Sequence, residues 1–149
     1  MSCETPIPPE ALDPARKVHG AKAVVFLPEG LPVMLRDDFA HIPFPDCWDF
    51  PGGGRDPGES AVDCVIREAR EELNLRLRPE DFYYARRYEN PGEGEVWFFA
   101  VRPQIAQAEP LELGDEGQCW RFMSEEEFLK HDKAIPRLQA RLAAYLAGV

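Results

Sequence analysis

Residues 53–75, GGRDPGESAVDCVIREAREELNL, contain the pattern that decides how this chain folds. Apolar residues recur there at helical spacing, at positions 62, 65, 66, 69 and 73. The spacing predicts an amphipathic helix over residues 59–73 whose apolar stripe faces the core. Asn74 follows the last apolar position, and asparagine is the usual substitute for glycine in a left-handed helix cap.

The same helix carries a cluster of acidic side chains. Glu68, Glu71 and Glu72 stand at i, i+3 and i+4, so they are neighbours on one helix face and repel each other. A hard divalent cation bound by oxygen ligands would remove that conflict. The alternative is a solvated acidic face, in which Arg67 and Arg70 pair with the glutamates for a few tenths of a kcal/mol.

Two features beside the helix favour the metal site. The turn Pro51-Gly52-Gly53-Gly54 lets the backbone approach a ligand, and a carbonyl there can coordinate a metal. Glu59 lies near the predicted helix start, where a carboxylate suits the helix dipole or orients an arginine. The sequence therefore predicts a magnesium or manganese site.

Composition narrows the classes of partner. The 149 residues are 44% hydrophobic and 30% charged, which is typical of one globular domain. A net charge of −10 disfavours binding to nucleic acid or to an anionic membrane, and no apolar run reaches the ~18 residues of a membrane span. Four cysteines and three histidines are scattered without zinc-ligand spacing. With no signal peptide evident at the start, free thiols in a reducing, cytoplasmic setting are expected.

The remaining pattern alternates strands and helices. We expect a Pro-rich arm over residues 1–17 and one domain over residues 18–149. Strands are expected at residues 22–27, 31–36, 48–50, 82–88, 95–101 and 118–123, the first two forming a hairpin around residues 28–30. Ser124 with Glu127 has a capping-box pattern that opens a short helix, and residues 136–147 form a terminal amphipathic helix. This order indicates an α+β or mixed α/β domain with a central sheet between helices.

The charged spacing resembles a known family signature. The first glycine and every charged position of the Nudix hydrolase box, GX5EX7REUXEEXGU, have a match at the same spacing in residues 53–75. The matching residues are Gly53, Glu59, Arg67, Glu68, Glu71 and Glu72. Ala69 stands where a larger aliphatic residue is common, and Asn74 replaces the penultimate glycine of the box. Residues 48–53, WDFPGG, also resemble the usual entry into the box. The resemblance implies the Nudix α/β/α sandwich with a mixed central sheet.

The resemblance also implies a reaction. Nudix enzymes use Mg²⁺ or Mn²⁺ to hydrolyse a pyrophosphate bond in a nucleoside diphosphate linked to a group X, for example in a (deoxy)nucleoside triphosphate. By motif position the metal ligands would be Glu68, Glu71, Glu72 and the Gly52 carbonyl. Arg67 would hold the glutamates in place, and Glu59 would support that arrangement.

The general base stays open between Glu68, Glu71 and a residue outside the box. Residues 114–118 resemble the loop of the bacterial oxidised-dGTP pyrophosphatase that carries a further metal-binding glutamate, and Glu116 is the matching position. The alternative for Glu116 is an acidic surface turn.

Substrate recognition is less visible. Tyr83, Tyr84, Trp97 and Phe99 would stack on a base or belong to the core. In the bacterial oxidised-dGTP pyrophosphatase, an asparagine near the terminal helix reads the oxidised guanine, and the comparable residues 134–138 contain no asparagine. The sequence does not identify the group X. The family often dimerises, so a homodimer is one expectation. The alternatives to a hydrolase are a non-catalytic nucleotide-binding sensor and an isomerase on the same scaffold.

Overall fold

The computed structural model describes residues 7–148 of the chain. Its strands and helices follow the order β1 (Gly20–Val25), β2 (Leu31–Leu35), β3 (Trp48–Asp49), β4 (Gly52–Gly54), α1 (Ala61–Leu73), β5 (Phe82–Asn90), β6 (Gly94–Val101), β7 (Cys119–Met123), α2 (Glu125–Lys130) and α3 (Pro136–Leu146). Short 3-10 helices lie at Pro9–Leu12 and Pro79–Asp81.

Four strands form the central sheet in the order β4-β1-β6-β5. Strand β1 runs parallel to β6 and antiparallel to β4, and β5 runs antiparallel to β6. A second, antiparallel sheet has the order β3-β2-β7. The predicted mixed central sheet is therefore confirmed.

Helices cover both faces of the central sheet. On one face the α1 stripe packs on alternate residues of β1 and β6, including Ala23 and Phe99. On the other face Leu138 and Leu142 of α3 pack with Phe98, and the Phe50 ring stacks on Phe128 with centroids 4.1 Å apart. This layering confirms the predicted α/β/α arrangement. No helix in residues 7–148 is long and apolar enough to span a membrane.

The predicted hairpin between the first two strands is wrong in its pairing. A tight turn does form, with Leu27 and Gly30 exchanging backbone hydrogen bonds of 3.3 and 3.0 Å. Beyond it, however, β1 and β2 belong to different sheets. Both edges of β1 are already taken by β4 and β6, so β2 pairs with β3 and β7 instead.

The glycine segment after the third strand forms a strand of its own, β4, which the sequence did not predict. Glycine has a low strand propensity, so local pattern gives no signal for this element. Its close pairing with β1 explains the residue type at Gly52, where φ is +132°. A Cβ atom there would lie 2.2 Å from the Ala21 carbonyl oxygen.

The start of the chain packs on the domain from residue 7 onward. Ala11 is fully buried in the core under α1, and Arg16 donates two hydrogen bonds of 2.7 and 2.8 Å to Glu95. Residues 1–6 of the predicted arm lie outside the described range. The boundary between residues 17 and 18 stays a prediction.

Helix α1 ends as expected at Asn74, which has φ 53° and ψ 29° in the left-handed region. Replacing Asn74 with alanine is expected to lower the free energy of unfolding by about 1–2 kcal/mol. Alanine is strained in the left-handed region, because its side chain cannot form the local hydrogen bond with which asparagine offsets that strain. Asn74→Gly should cost less, because it removes the strain and loses only the hydrogen bond to the Pro110 carbonyl. Urea denaturation measures both, and equal stability of the alanine variant and the wild type would contradict the cap.

Candidate active site

Helix α1 places the acidic residues beside the glycine strand. Ser60 caps its start, accepting a hydrogen bond of 3.1 Å from the Asp63 N–H. The buried stripe then fixes the rotation of the helix on the sheet. Glu68 consequently lies so close to β4 that a Cβ on Gly53 would be 2.6 Å from its Oε2 atom.

Arg67 links the predicted glutamates to one another. Its guanidinium donates to Glu59 at 2.6 and 3.1 Å, to Glu68 at 2.8 Å and to Glu71 at 3.2 Å. A further bond of 2.9 Å goes to the Gly54 carbonyl. Although burial works against it, this pairing lowers the pKa of Glu59. The structure therefore joins Arg67 to Glu68 and Glu71, two of the three metal-ligand glutamates that the motif predicts it should hold, and to the supporting Glu59, whereas Glu72 is held by the Gly52 N–H.

Burial raises the proton affinity of the two glutamates nearest to the sheet. It raises the pKa of Glu68, against the opposing effect of Arg67, and it raises the pKa of Glu72 to about 8. Glu72 accepts a hydrogen bond of 2.9 Å from the Gly52 N–H. The negative charge of a carboxylate in this environment is costly, because burial removes water that would solvate it. A bound cation would offset that cost.

A buried cation lies next to the glycine strand. The Lys22 ammonium donates 2.8 Å hydrogen bonds to Asp49 and to the Gly52 carbonyl, and Arg36 pairs with the same Asp49 oxygen at 3.0 Å. Burial opposes the charge on Lys22, but Asp49 and Glu72 outweigh it and raise its pKa. The other Asp49 carboxylate oxygen is buried without a hydrogen-bond partner among the described residues.

The sequence reasoning missed Lys22 and Asp49. A signal was present, because each is a single charge inside an apolar segment, KAVVFL and WDF. Such a charge is rarely buried without a partner. What the sequence does not give is the pairing across 27 residues that joins them.

The downstream loop brings Glu116 to the same place. The Gly114 N–H donates to the Glu72 carbonyl at 2.9 Å, which ties the loop to the end of α1. One cavity, which we call the glutamate cavity, is lined by Glu68, Glu71, Glu72, Gly114, Asp115 and Glu116. The three glutamates of α1 and Glu116 are thus neighbours in space, although Glu116 lies 44 positions after Glu72 in the chain.

The donor set of the glutamate cavity fits a hard divalent cation. Its side chains offer carboxylate oxygens only, the ligands that Mg²⁺ and Mn²⁺ prefer. Among residues 7–148 no three acidic, histidine or cysteine side chains already converge as a metal cage. Arg67 takes one oxygen each of Glu68 and Glu71, and Gly52 takes one of Glu72. Each carboxylate keeps a second oxygen, and the Gly52 carbonyl keeps a lone pair beside Lys22.

A second cleft adjoins the glycine strand, and we call it the arginine cleft. Its charged lining residues are Lys22, Arg36, Asp49, Glu93, Arg137 and Arg141, and Gly53 and Gly54 form part of its wall. Trp97 also lines it, but Trp97 is only 4% exposed and Phe99 is fully buried, so both belong mainly to the core. Gly53 and Gly54 of β4 thus border the cationic cleft, and Glu68 of the acidic cavity lies against Gly53.

A comparison with protein families identifies the chain. The model of the NUDIX domain matches residues 17–145. The chain belongs to the Nudix family. The match spans both the glutamate cavity and the arginine cleft, and it confirms the predicted family and its class of pyrophosphohydrolase enzymes.

Solved structures of Nudix proteins share this fold. The MutT protein from Methanosarcina mazei Go1 has a TM-score of 0.69 and 20% sequence identity, covering 87% of this chain and 93% of that one. An Ap4A hydrolase from C. elegans has a TM-score of 0.61 and 22% identity, covering 87% and 99%. At these identities the likeness establishes the fold.

A third structure is of a larger protein. The bifunctional NMN adenylyltransferase/ADP ribose pyrophosphatase from Francisella tularensis, complexed with AMP and a Mn ion, has a TM-score of 0.69 and 18% identity. The alignment covers 89% of this chain but only 42% of that one. This Nudix chain therefore corresponds to one part of that protein.

Proposed function

We propose that this protein is a Mg²⁺- or Mn²⁺-dependent hydrolase of the pyrophosphate bond in a nucleoside diphosphate linked to X, such as a (deoxy)nucleoside triphosphate. One observation carries the proposal: all four glutamates of the predicted metal set line one cavity, and Arg67 orients two of them. The Mn ion bound by the Francisella tularensis protein, which shares the fold, adds support.

Each residue has a separate part in the proposed reaction. Glu68, Glu71, Glu72 and Glu116, with the Gly52 carbonyl, would hold the cations. Bound divalent cations would neutralise charge developing at phosphorus and lower the pKa of a bound water. Arg67 and Glu59 hold the α1 carboxylates in place through charge-assisted hydrogen bonds.

The choice of general base falls among three glutamates. Burial raises the pKa of Glu68 towards the range in which a carboxylate accepts a proton efficiently. Glu71 and Glu116 line the same cavity and are the other candidates. Comparing the glutamine variants of these three residues, each at saturating metal, distinguishes a base from a pure ligand.

The proposal extends to setting and assembly. The three cysteines within the described range, Cys47, Cys64 and Cys119, are free thiols, which agrees with a cytoplasmic setting. The substrate is a small nucleotide, and a homodimer is the expected assembly if the chain follows its family. Gel filtration with light scattering tests that assembly directly.

A substrate panel tests the proposed function. It contains the (deoxy)nucleoside triphosphates, ADP-ribose, a diadenosine polyphosphate and a nucleotide sugar, each with Mg²⁺ or Mn²⁺, with released phosphate or pyrophosphate as readout. Turnover in ¹⁸O-water shows which phosphorus receives the oxygen. Tight nucleotide binding without turnover, unchanged in Glu71→Gln, would instead identify a sensor.

The loop that carries Glu116 provides an independent test. A Cβ on Gly114 would lie 2.1 Å from the Glu71 carbonyl oxygen, so Gly114→Ala must displace the loop. We expect kcat to fall by about tenfold to a hundredfold, since small misplacements of a reacting group have effects of that size. In a double-mutant cycle, the variant that combines Gly114→Ala with Glu116→Gln should be no less active than the less active of the two single variants. Additive losses would mean that the loop acts without Glu116.

A further inference from the structure

The arginine cleft is positively charged, although the protein as a whole is acidic. Four cationic side chains, Lys22, Arg36, Arg137 and Arg141, face two anionic ones, Asp49 and Glu93. The chain as a whole has a net charge of −10. A local excess of two positive charges inside an acidic protein is the footprint of an anionic ligand.

The two acidic side chains of the cleft already have partners. Asp49 accepts from Lys22 and Arg36 through one oxygen. Glu93 lies 3.5 Å from Arg137 and 3.3 Å from His19. Each acidic side chain thus accounts for one cation of its pair, and one of the two excess positive charges lies at the α3 end of the cleft.

Of the four cations in the cleft, Arg141 is the one without an ion pair among the described residues. Its guanidinium donates to the Asn90 amide oxygen at 2.6 Å and lies 4.3 Å above the Tyr88 ring. Burial, and then the charge of Arg137, lower the pKa of this half-buried group. Asn90 is itself 5% exposed, so it holds the guanidinium in one orientation.

Helix stability does not account for this pair of arginines. Arg137 and Arg141 stand at i and i+4, and both lie within the first two turns of α3, which begins at Pro136. Like charges at that spacing repel, and a cation near a helix N-terminus opposes the helix dipole. An anion placed between them would offset the repulsion, the dipole and the burial together.

We propose that Arg141 and Arg137 bind a second anionic group of the substrate, a phosphate or a carboxylate on the part remote from the scissile anhydride. The inference rests on the proposed function, because the glutamate cavity is there assigned to the cations that act on the scissile diphosphate. Gly53 lies in the wall of the arginine cleft, and a Cβ there would be only 2.6 Å from the Glu68 Oε2 atom, so the glutamate cavity and the cleft adjoin at this residue. Arg141 presents a planar fork that suits bidentate binding of either anion, and Asn90 is its positioning residue.

The first test uses metal-free protein in EDTA at low salt. Inorganic phosphate and succinate are titrated separately, and the arginine Nε–Hε signals are followed by NMR, with those of Arg137 and Arg141 assigned from their glutamine variants. We expect saturable shifts of these signals with at least one probe, and the probe that binds identifies phosphate or carboxylate. Affinity should fall at least about tenfold in Arg141→Gln and stay within about twofold in Arg76→Gln, a surface control that removes the same charge.

The outcomes separate this inference from the proposed function. Absence of shifts with both probes, or wild-type affinity in Arg141→Gln, overturns the anion site whatever the substrate panel finds. For any substrate that the panel identifies, Arg141→Gln should raise KM about tenfold and change kcat less than twofold. Phosphate or succinate binding in a protein that hydrolyses nothing would overturn the proposed function and leave the anion site in place.

Discussion

Glu72→Gln is expected to abolish metal-dependent hydrolysis and, at the same time, to stabilise the metal-free protein. Activity should fall by about a hundredfold or more, because the variant removes one of the carboxylates proposed to bind the metal in the glutamate cavity. The amide oxygen of glutamine still accepts the Gly52 N–H that Glu72 accepts at 2.9 Å. The native backbone contact is therefore kept, and only the charge is lost.

The gain in stability depends on pH. Burial raises the pKa of Glu72 to about 8 in the folded protein, above the ordinary value of 4.5 for a glutamate. Between those values the folded protein holds a proton that the unfolded chain has released, so the free energy of unfolding falls as pH rises. The variant lacks this loss. Its advantage should be near zero below pH 4 and reach the order of a few kcal/mol at pH 8.

Thermal unfolding in EDTA across pH 4–9 measures this difference. Glu112→Gln is the matched control, since Glu112 is exposed, donates its backbone N–H to the Leu73 carbonyl at the end of α1, and does not line the glutamate cavity. A pH-independent difference between wild type and Glu72→Gln would contradict the assigned burial of the carboxylate. Adding Mg²⁺ should stabilise the wild type and leave the variant nearly unchanged.

Arg67→Gln is expected to have the second-largest effect. The change leaves Glu59 and Glu68, whose side chains are 16% and 18% exposed, without their charge-assisted partner. We expect the free energy of unfolding to fall by about 2–4 kcal/mol and kcat/KM to fall by about a hundredfold. Chemical denaturation and steady-state kinetics measure the two losses separately.

Two further variants distinguish orientation from mere charge. Arg67→Lys keeps the charge but loses the fork that reaches Glu59, Glu68 and Glu71, so it should recover most of the stability and little of the activity. Arg70→Gln is the control, because Arg70 is exposed on the same helix. Full activity in Arg67→Lys would show that the fork does not orient the glutamates.

Local sequence pattern is sufficient for α1 and for the residues it carries. The apolar stripe sets which face is buried, and the Asn74 cap sets where the helix ends. Arg67 follows Glu59 by eight residues, and its guanidinium donates two hydrogen bonds of 2.6 and 3.1 Å to the Glu59 carboxylate. These features follow from short-range geometry, which a sequence specifies directly.

Contacts between segments that are distant in the chain could not be predicted from local sequence pattern. The sequence predicts β1 as a strand but not that its neighbours are β4 and β6, because strand pairing depends on segments far apart in the chain. For the same reason, the ion pair between Lys22 and Asp49 and the approach of Arg141 to Asn90 were not predicted. Glu116 was placed by family resemblance, and the structure supplies the loop contact that brings it to the cavity.

Titration of Mn²⁺ into the protein, followed by calorimetry, tests the central claim most directly. Wild type should bind Mn²⁺, and Glu68→Gln, Glu71→Gln and Glu72→Gln should each weaken that binding by at least about tenfold. Glu112→Gln, which removes one nearby charge outside the cavity, should bind within about twofold of wild type. Equal Mn²⁺ affinity in wild type and all three cavity variants would contradict the metal site, and with it the proposed hydrolase mechanism.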